Sequence, residues 1–123
     1  MLFRSVAAAW RALVDSGGGI SMADLADRVG CSGRYLSRLF AVEIGMSPKA
    51  AARVLRFDRA RHLLQRDRGR SVAEVAAHCG YFDQAHLARD FRALAGRPPS
   101  RWLAEEFRYV QADRAATAAR SVV

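Results

Sequence analysis

Apolar residues recur along this chain at helical intervals in one segment after another, and no stretch alternates with the period of a strand. From Leu2 to Asp15 a stripe of Phe3, Val6, Ala7, Trp10, Leu13 and Val14 predicts an amphipathic helix, which Gly17-Gly18-Gly19 ends. Ser21 caps a short second helix with Asp24 three residues on, and Met22, Leu25, Ala26 and Val29 form its buried face. Gly30 supplies a tight turn, and Ser32 caps a third helix over residues 33–43 with Leu36, Leu39 and Phe40 inward. Ser47-Pro48 opens a long helix, since proline at the first helical position has no useful N–H to lose. Nothing breaks that helix before Arg66, so it spans ~28 Å at ~1.5 Å per residue. Val54, Phe57, Leu63 and Leu64 are its apolar contacts. After a polar connection over 67–70, Ser71 and Glu74 make a full capping box, and the chain turns at Gly80 and restarts at Asp83. Leu87, Phe91 and Leu94 face inward on the helix that follows. Arg97-Pro98-Pro99 then starts a final helix carrying Trp102, Leu103 and Phe107. From Gln111 the chain is rich in Ala and Arg without a stripe, which predicts a frayed, disordered tail over 111–123. The expectation is an all-α fold of about seven helices, divided into 1–66 and 67–110.

The same segment occurs twice. At an offset of fifty, Ser21, Ala23, Ala26 and Gly30 match Ser71, Ala73, Ala76 and Gly80. One residue is then gained, and Leu36, Arg38, Phe40, Gly45 and Pro48 match Leu87, Arg89, Phe91, Gly96 and Pro99. Each copy reads as helix, turn, helix, and two such units on one long helix suit two positions along a DNA duplex. Successive major-groove faces lie ~34 Å apart, close to the reach of the joining helix plus the packed units. Seating both units fully can require the duplex to bend, at ~1–6 kcal/mol.

In such a unit the second helix enters the major groove. Arg34, Ser37, Arg38 and Ala41 lie opposite the core face in the first copy, and arginine forks pair with guanine N7 and O6. The second copy offers Ala85, Ala88, Arg89 and Arg92, with Gln84 at the helix start. Its alanines can touch a thymine methyl but cannot hydrogen-bond, so this helix is expected to read less sequence than the first. Base contacts are expected from Gln84 and Arg89, and a phosphate contact from Arg92. Ser32, Tyr35 and His86 are candidate phosphate contacts, together with Arg53 and Arg56 of the crowded linker helix. Ordinary solvated or structural roles compete with each of these assignments.

Charge agrees with a polyanionic partner. Among 123 residues there are 20 basic and 12 acidic side chains, giving +8, and Lys49 is the sole lysine. GC-rich coding would also inflate Arg and Ala, so composition alone does not decide. No apolar run reaches the ~20 residues of a membrane span, and Arg4 and Arg11 interrupt any secretory signal. Cys31 and Cys79 lack Cys-x-x-Cys spacing, so neither a zinc site nor another cofactor is expected. Cys79 stands where Val29 stands in the first copy, which predicts a small buried residue in a reducing cytoplasm.

The stretches ADLADRVGCSGRYLSRLF, GMSPKAAARVLRF followed by ARHLL, and VAEVAAHCGYFDQAHLARDFRALAGRPP resemble the DNA-binding domain of AraC/XylS-type transcription regulators. The resemblance covers about Ser21 to Trp102. It implies seven helices, one rod with two readers binding double-stranded DNA as a monomer, and base contacts at Arg34, Ser37, Arg38, Gln84, Ala85 and Arg89. It also implies a bacterial-type regulator that activates transcription, as most members do, through RNA polymerase; some members repress. Most carry a separate sensor domain, usually preceding this one. Either a stand-alone regulator or a fragment of a longer sensor-regulator fits, and the ending AEEFRYVQ favours the fragment. Rival readings are a sequence-indifferent nucleoid binder, a protein-interaction module, and a DNA-repair alkyl acceptor. The last needs an activated thiolate, and neither cysteine has a supporting base, so no enzyme is expected.

Overall fold

The computed structural model describes the backbone of residues 2–121 and the side chains of residues 5–120 other than 110. Seven α-helices and no strand are present among them: α1 (Leu2–Asp15), α2 (Met22–Val29), α3 (Gly33–Ile44), α4 (Pro48–Arg66), α5 (Val72–His78), α6 (Gln84–Ala95) and α7 (Pro99–Ser121). The starts follow from local hydrogen bonding. Ser21, Ser32, Ser47 and Ser71 each accept from the backbone N–H three residues on, at 3.0–3.1 Å, and Asp83 does so at 2.7 Å. Ser71 and Glu74 complete the capping box.

Two hydrophobic cores divide the molecule. The first joins Val6, Ala9 and Leu13 of α1 to Leu25, Leu36, Phe40, Ala51 and Ala52. The second joins Phe57, Ala60 and Leu64 to Val75, Leu87, Phe91 and Trp102. Phe91 is its centre, with Phe57 edge-on at 4.8 Å and Trp102 at 5.5 Å. Helix α4 serves both: at 100° per residue, Ala51 and Ala52 point about 160° away from the mean direction of Phe57, Ala60 and Leu64. The cores therefore hang from nearly opposite flanks of one rod. The change from one core to the other falls inside α4, between Ala52 and Phe57.

Several inward faces differ from the sequence reading. In α1 the buried residues are Val6, Ala9, Ala12 and Leu13, while Trp10 is 40% and Val14 45% exposed. Small side chains let α1 approach its neighbours closely, and that rotates the stripe away from the bulkier residues. The side chain of Phe3, assigned to the same stripe, lies outside the described residues. Val54 and Leu94 are also largely exposed. On α6 the face centres on Leu87, Asp90 and Phe91, so a carboxylate occupies a core-facing position. The final helix runs on to Ser121 where a disordered tail from Gln111 is expected. Alanine, arginine and glutamine propagate a helix without help from packing, and the described residues from Gln111 onward are all exposed. Residues 122 and 123 lie outside the described residues.

Candidate nucleic-acid interface

With Leu36 and Phe40 buried, the opposite face of α3 presents Arg34, Ser37, Arg38 and Ala41 to solvent. Tyr35, one residue off that face, is 41% exposed. Ser32 accepts from the Tyr35 N–H at 3.1 Å, which leaves its hydroxyl proton free to donate outward. In the second copy Gln84, Ala85, Arg89 and Arg92 are exposed, and Ala88 is half-buried. Among the described residues Arg34, Arg38, Arg89 and Arg92 make no ion pair. By contrast Arg53, Arg61, Arg70, Arg97 and Arg101 are each held by a carboxylate. Guanidinium groups left unneutralised on matching faces of both copies keep their full attraction for an anion.

The linker arginines are committed differently. Arg53 Nε donates to Asp90 Oδ1 at 2.9 Å and Nη2 lies 2.9 Å from the same oxygen, an ion pair that ties α4 to α6. Arg56 donates to the Gly18 carbonyl at 3.5 Å and lies 5.7 Å from the centre of the Tyr81 ring, so it touches both units. Both also line a cleft of 780 Å³ between the units, with Ser21, Ser47, Lys49 and His86. His86 is fixed there: its Nδ1 accepts from the Phe82 N–H at 3.2 Å, and its ring stands edge-on to Tyr81 at 4.9 Å. With Nδ1 accepting, the proton of the neutral ring sits on Nε2 and can be donated.

Asp90 and Lys49 were not among the sequence candidates. Asp90 could have been found from its place three residues after Leu87 and one before Phe91, which puts it on the buried face. Lys49 carries no signal beyond its charge.

Tyr81 completes the second turn. Its hydroxyl and Asp90 Oδ2 are both buried without a hydrogen-bond partner. Burial, and then the neighbouring Asp90 carboxylate, push the Tyr81 phenol up from its ordinary range. A folded pKa above the unfolded one adds stability that is complete below ~10 and is lost as pH rises past it. Tyr81→Phe should therefore flatten the loss of stability above about pH 10, measured as urea midpoints across that range; an unchanged slope would clear Tyr81 of the linkage. Burial likewise raises the Cys79 thiol, with Arg59 and Arg70 opposing. That holds the sulfur as a thiol, the form unsuited to nucleophilic attack.

Among the described residues no cluster of His, Cys, Asp and Glu could hold a metal ion, and no helix is long and apolar enough to cross a membrane.

Comparison with known proteins converges on one family. The family model described as a helix-turn-helix domain matches residues 25–105. The chain is 39% identical over 80 residues to the uncharacterized HTH-type transcriptional regulator YidL of Escherichia coli K12, covering 65% of this chain and 27% of that protein. It spans 22–27% of the length of YidL and of the Pseudomonas aeruginosa regulators CdhR and GbdR. Among solved structures it resembles an AraC-type transcriptional regulator from Chromobacterium violaceum, with a TM-score of 0.75 and 28% identity over 83% of this chain and 91% of that one. It also resembles the DNA-binding domain of the global transcriptional factor AdpA in complex with a target DNA, with a TM-score of 0.70 and 31% identity over 85% and 90%. The duplicated helical units, the unpaired arginines and these likenesses together make the chain a member of the helix-turn-helix family of AraC-type DNA-binding domains.

Proposed function

We propose that this chain reads specific double-stranded DNA for a transcription regulator, laying α3 and α6 into successive major grooves of one duplex as a monomer. The observation that carries the reading is the matched pair of exposed, unpaired arginines, Arg38 and Arg89, at equivalent positions of the two copies. AdpA's domain, of the same fold, was solved on its target DNA, which supports the duplex as ligand. Arg34, Ser37 and Arg38 read bases from α3, and Gln84, Ala85 and Arg89 read them from α6. Ser32, Tyr35, His86 and Arg92 hold phosphates at the groove edges. Arg53, paired with Asp90, and Arg56 keep the units in place, and the unpaired Arg56 adds positive charge to the cleft beneath the crossing backbone. Transcriptional output then passes through RNA polymerase, the partner that the family resemblance implies, in the reducing cytoplasm that the free cysteines suit.

Selection from a random duplex pool, followed by titration, tests this. The wild-type chain should prefer its selected site by ~10³-fold or more over unrelated duplex. Arg38→Ala should cost ~1–3 kcal/mol and relax preference at one base position. Equal binding to all sequences, with affinity set by salt alone, would identify a sequence-indifferent binder instead. Retention of every base preference by Arg38→Ala would show that the helix is oriented otherwise.

A further inference from the structure

The second copy is one residue longer than the first, and the extra residue can be located. Cys31 N–H donates to the Ala26 carbonyl at 3.1 Å, and Tyr81 N–H donates to the matching Ala76 carbonyl at 2.9 Å, so Tyr81 takes the place of Cys31. The helix cap follows Cys31 immediately, as Ser32, but follows Tyr81 only after Phe82, as Asp83. Phe82 is therefore the insertion.

Phe82 is 91% exposed, more than any other large apolar residue among the described residues. The turn holds it there. The Phe82 N–H is bound to His86 Nδ1 at 3.2 Å, Tyr81 on one side is buried, and Asp83 on the other caps α6. A lone exposed apolar residue needs no explanation on an ordinary surface. This one stands two residues before Gln84, the first residue of α6, at the end of a recognition helix that meets base edges. Ala85 and Ala88 beside it can make no hydrogen bond with a base edge. The one apolar feature that a major groove displays is the thymine C5-methyl group.

We propose that Phe82 is a specificity-determining residue that packs its ring against a thymine methyl at the edge of the half-site under α6. The second reader then adds an apolar contact to the polar ones made by Gln84 and Arg89. This rests on the DNA-reading function proposed above.

The test uses the whole chain and its selected duplex, with each thymine under α6 replaced in turn by deoxyuridine, which lacks only the methyl. One replacement should weaken wild-type binding by about fourfold, the worth of one buried methyl-sized group. Phe82→Ala should weaken binding to the unmodified duplex by at least that factor and lose the distinction between thymine and uracil at that position. An unchanged melting curve would show that the exposed residue was removed without disturbing the fold. The proposal is overturned if Phe82→Ala binds the unmodified duplex as wild type does. It is equally overturned if the variant still discriminates at that thymine, or if no thymine under α6 is sensitive to loss of its methyl. Failure of the underlying function looks different: the wild-type chain would then select no sequence at all.

Discussion

Gly18→Ala is expected to lower the melting temperature by about 10–20 °C. Gly18 has φ +83°, and a Cβ at that position would lie 2.2 Å from the Ala52 carbonyl oxygen. The left-handed conformation alone costs a side-chain-bearing residue ~1–2 kcal/mol. Pushing the turn off α4 adds ~1–3 kcal/mol, as overpacking does elsewhere. The displaced group is backbone rather than a flexible side chain, so local relaxation offers little relief. The same turn also holds Arg56 through the Gly18 carbonyl, so the damage extends to the contact between the units. Gly30 is the control, because it has φ +80° but open space around it. Gly30→Ala should show the conformational cost alone, ~1–2 kcal/mol. Circular-dichroism melts of the two variants separate the terms. Equal melting temperatures for both would mean that the turn does not press on α4.

The second large effect concerns Arg53 and Asp90, and its order is counter-intuitive. Arg53's side chain is 47% exposed and Asp90's is 6% exposed. Exposure alone would rank Arg53 as the more expendable residue. Arg53→Ala, however, leaves the Asp90 carboxylate in the core with no cation, and stranding a buried charge costs ~3–5 kcal/mol. Asp90→Ala leaves Arg53 free to turn into water, and should cost roughly 1–3 kcal/mol for the lost charged hydrogen bonds. Removing both should therefore restore part of the stability lost by Arg53→Ala. Urea unfolding of the three variants completes a double-mutant cycle. A double variant less stable than Arg53→Ala would refute the account. Because the pair joins α4 to α6, the variants should also lose affinity for a duplex carrying both half-sites more than for one half-site alone.

The parts of the structure set by neighbouring residues were readable in the chain. Ser21, Ser32, Ser47, Ser71 and Asp83 each satisfy a donor three residues away, so their chemistry is complete within a short window. The outward faces of α3 and α6 were readable because the repeat aligns Arg38 with Arg89 once Leu36 and Phe40 are recognised as core. The packing of α1 was not, because Ala9 and Ala12 are buried for their smallness, and alanine occurs as freely on surfaces. Asp90 was missed because its partner lies 37 residues earlier, beyond any periodic pattern. Phe82 was hidden for another reason: alignment of the copies revealed a gained residue, but only hydrogen bonds within the turns fix which one it is.

The rod shared by two cores on opposite flanks makes the length of α4 a quantised quantity. One residue inserted between Ala52 and Phe57 would advance the second unit by ~1.5 Å and swing it by ~100° about the rod. The two readers would then face different sides of the duplex. Only additions close to a whole turn would keep them in phase, at the expense of a ~5.4 Å step in their separation. If both helices read one duplex as proposed, side chains along α4 can drift one at a time, whereas its residue count is tied to the pitch of the double helix.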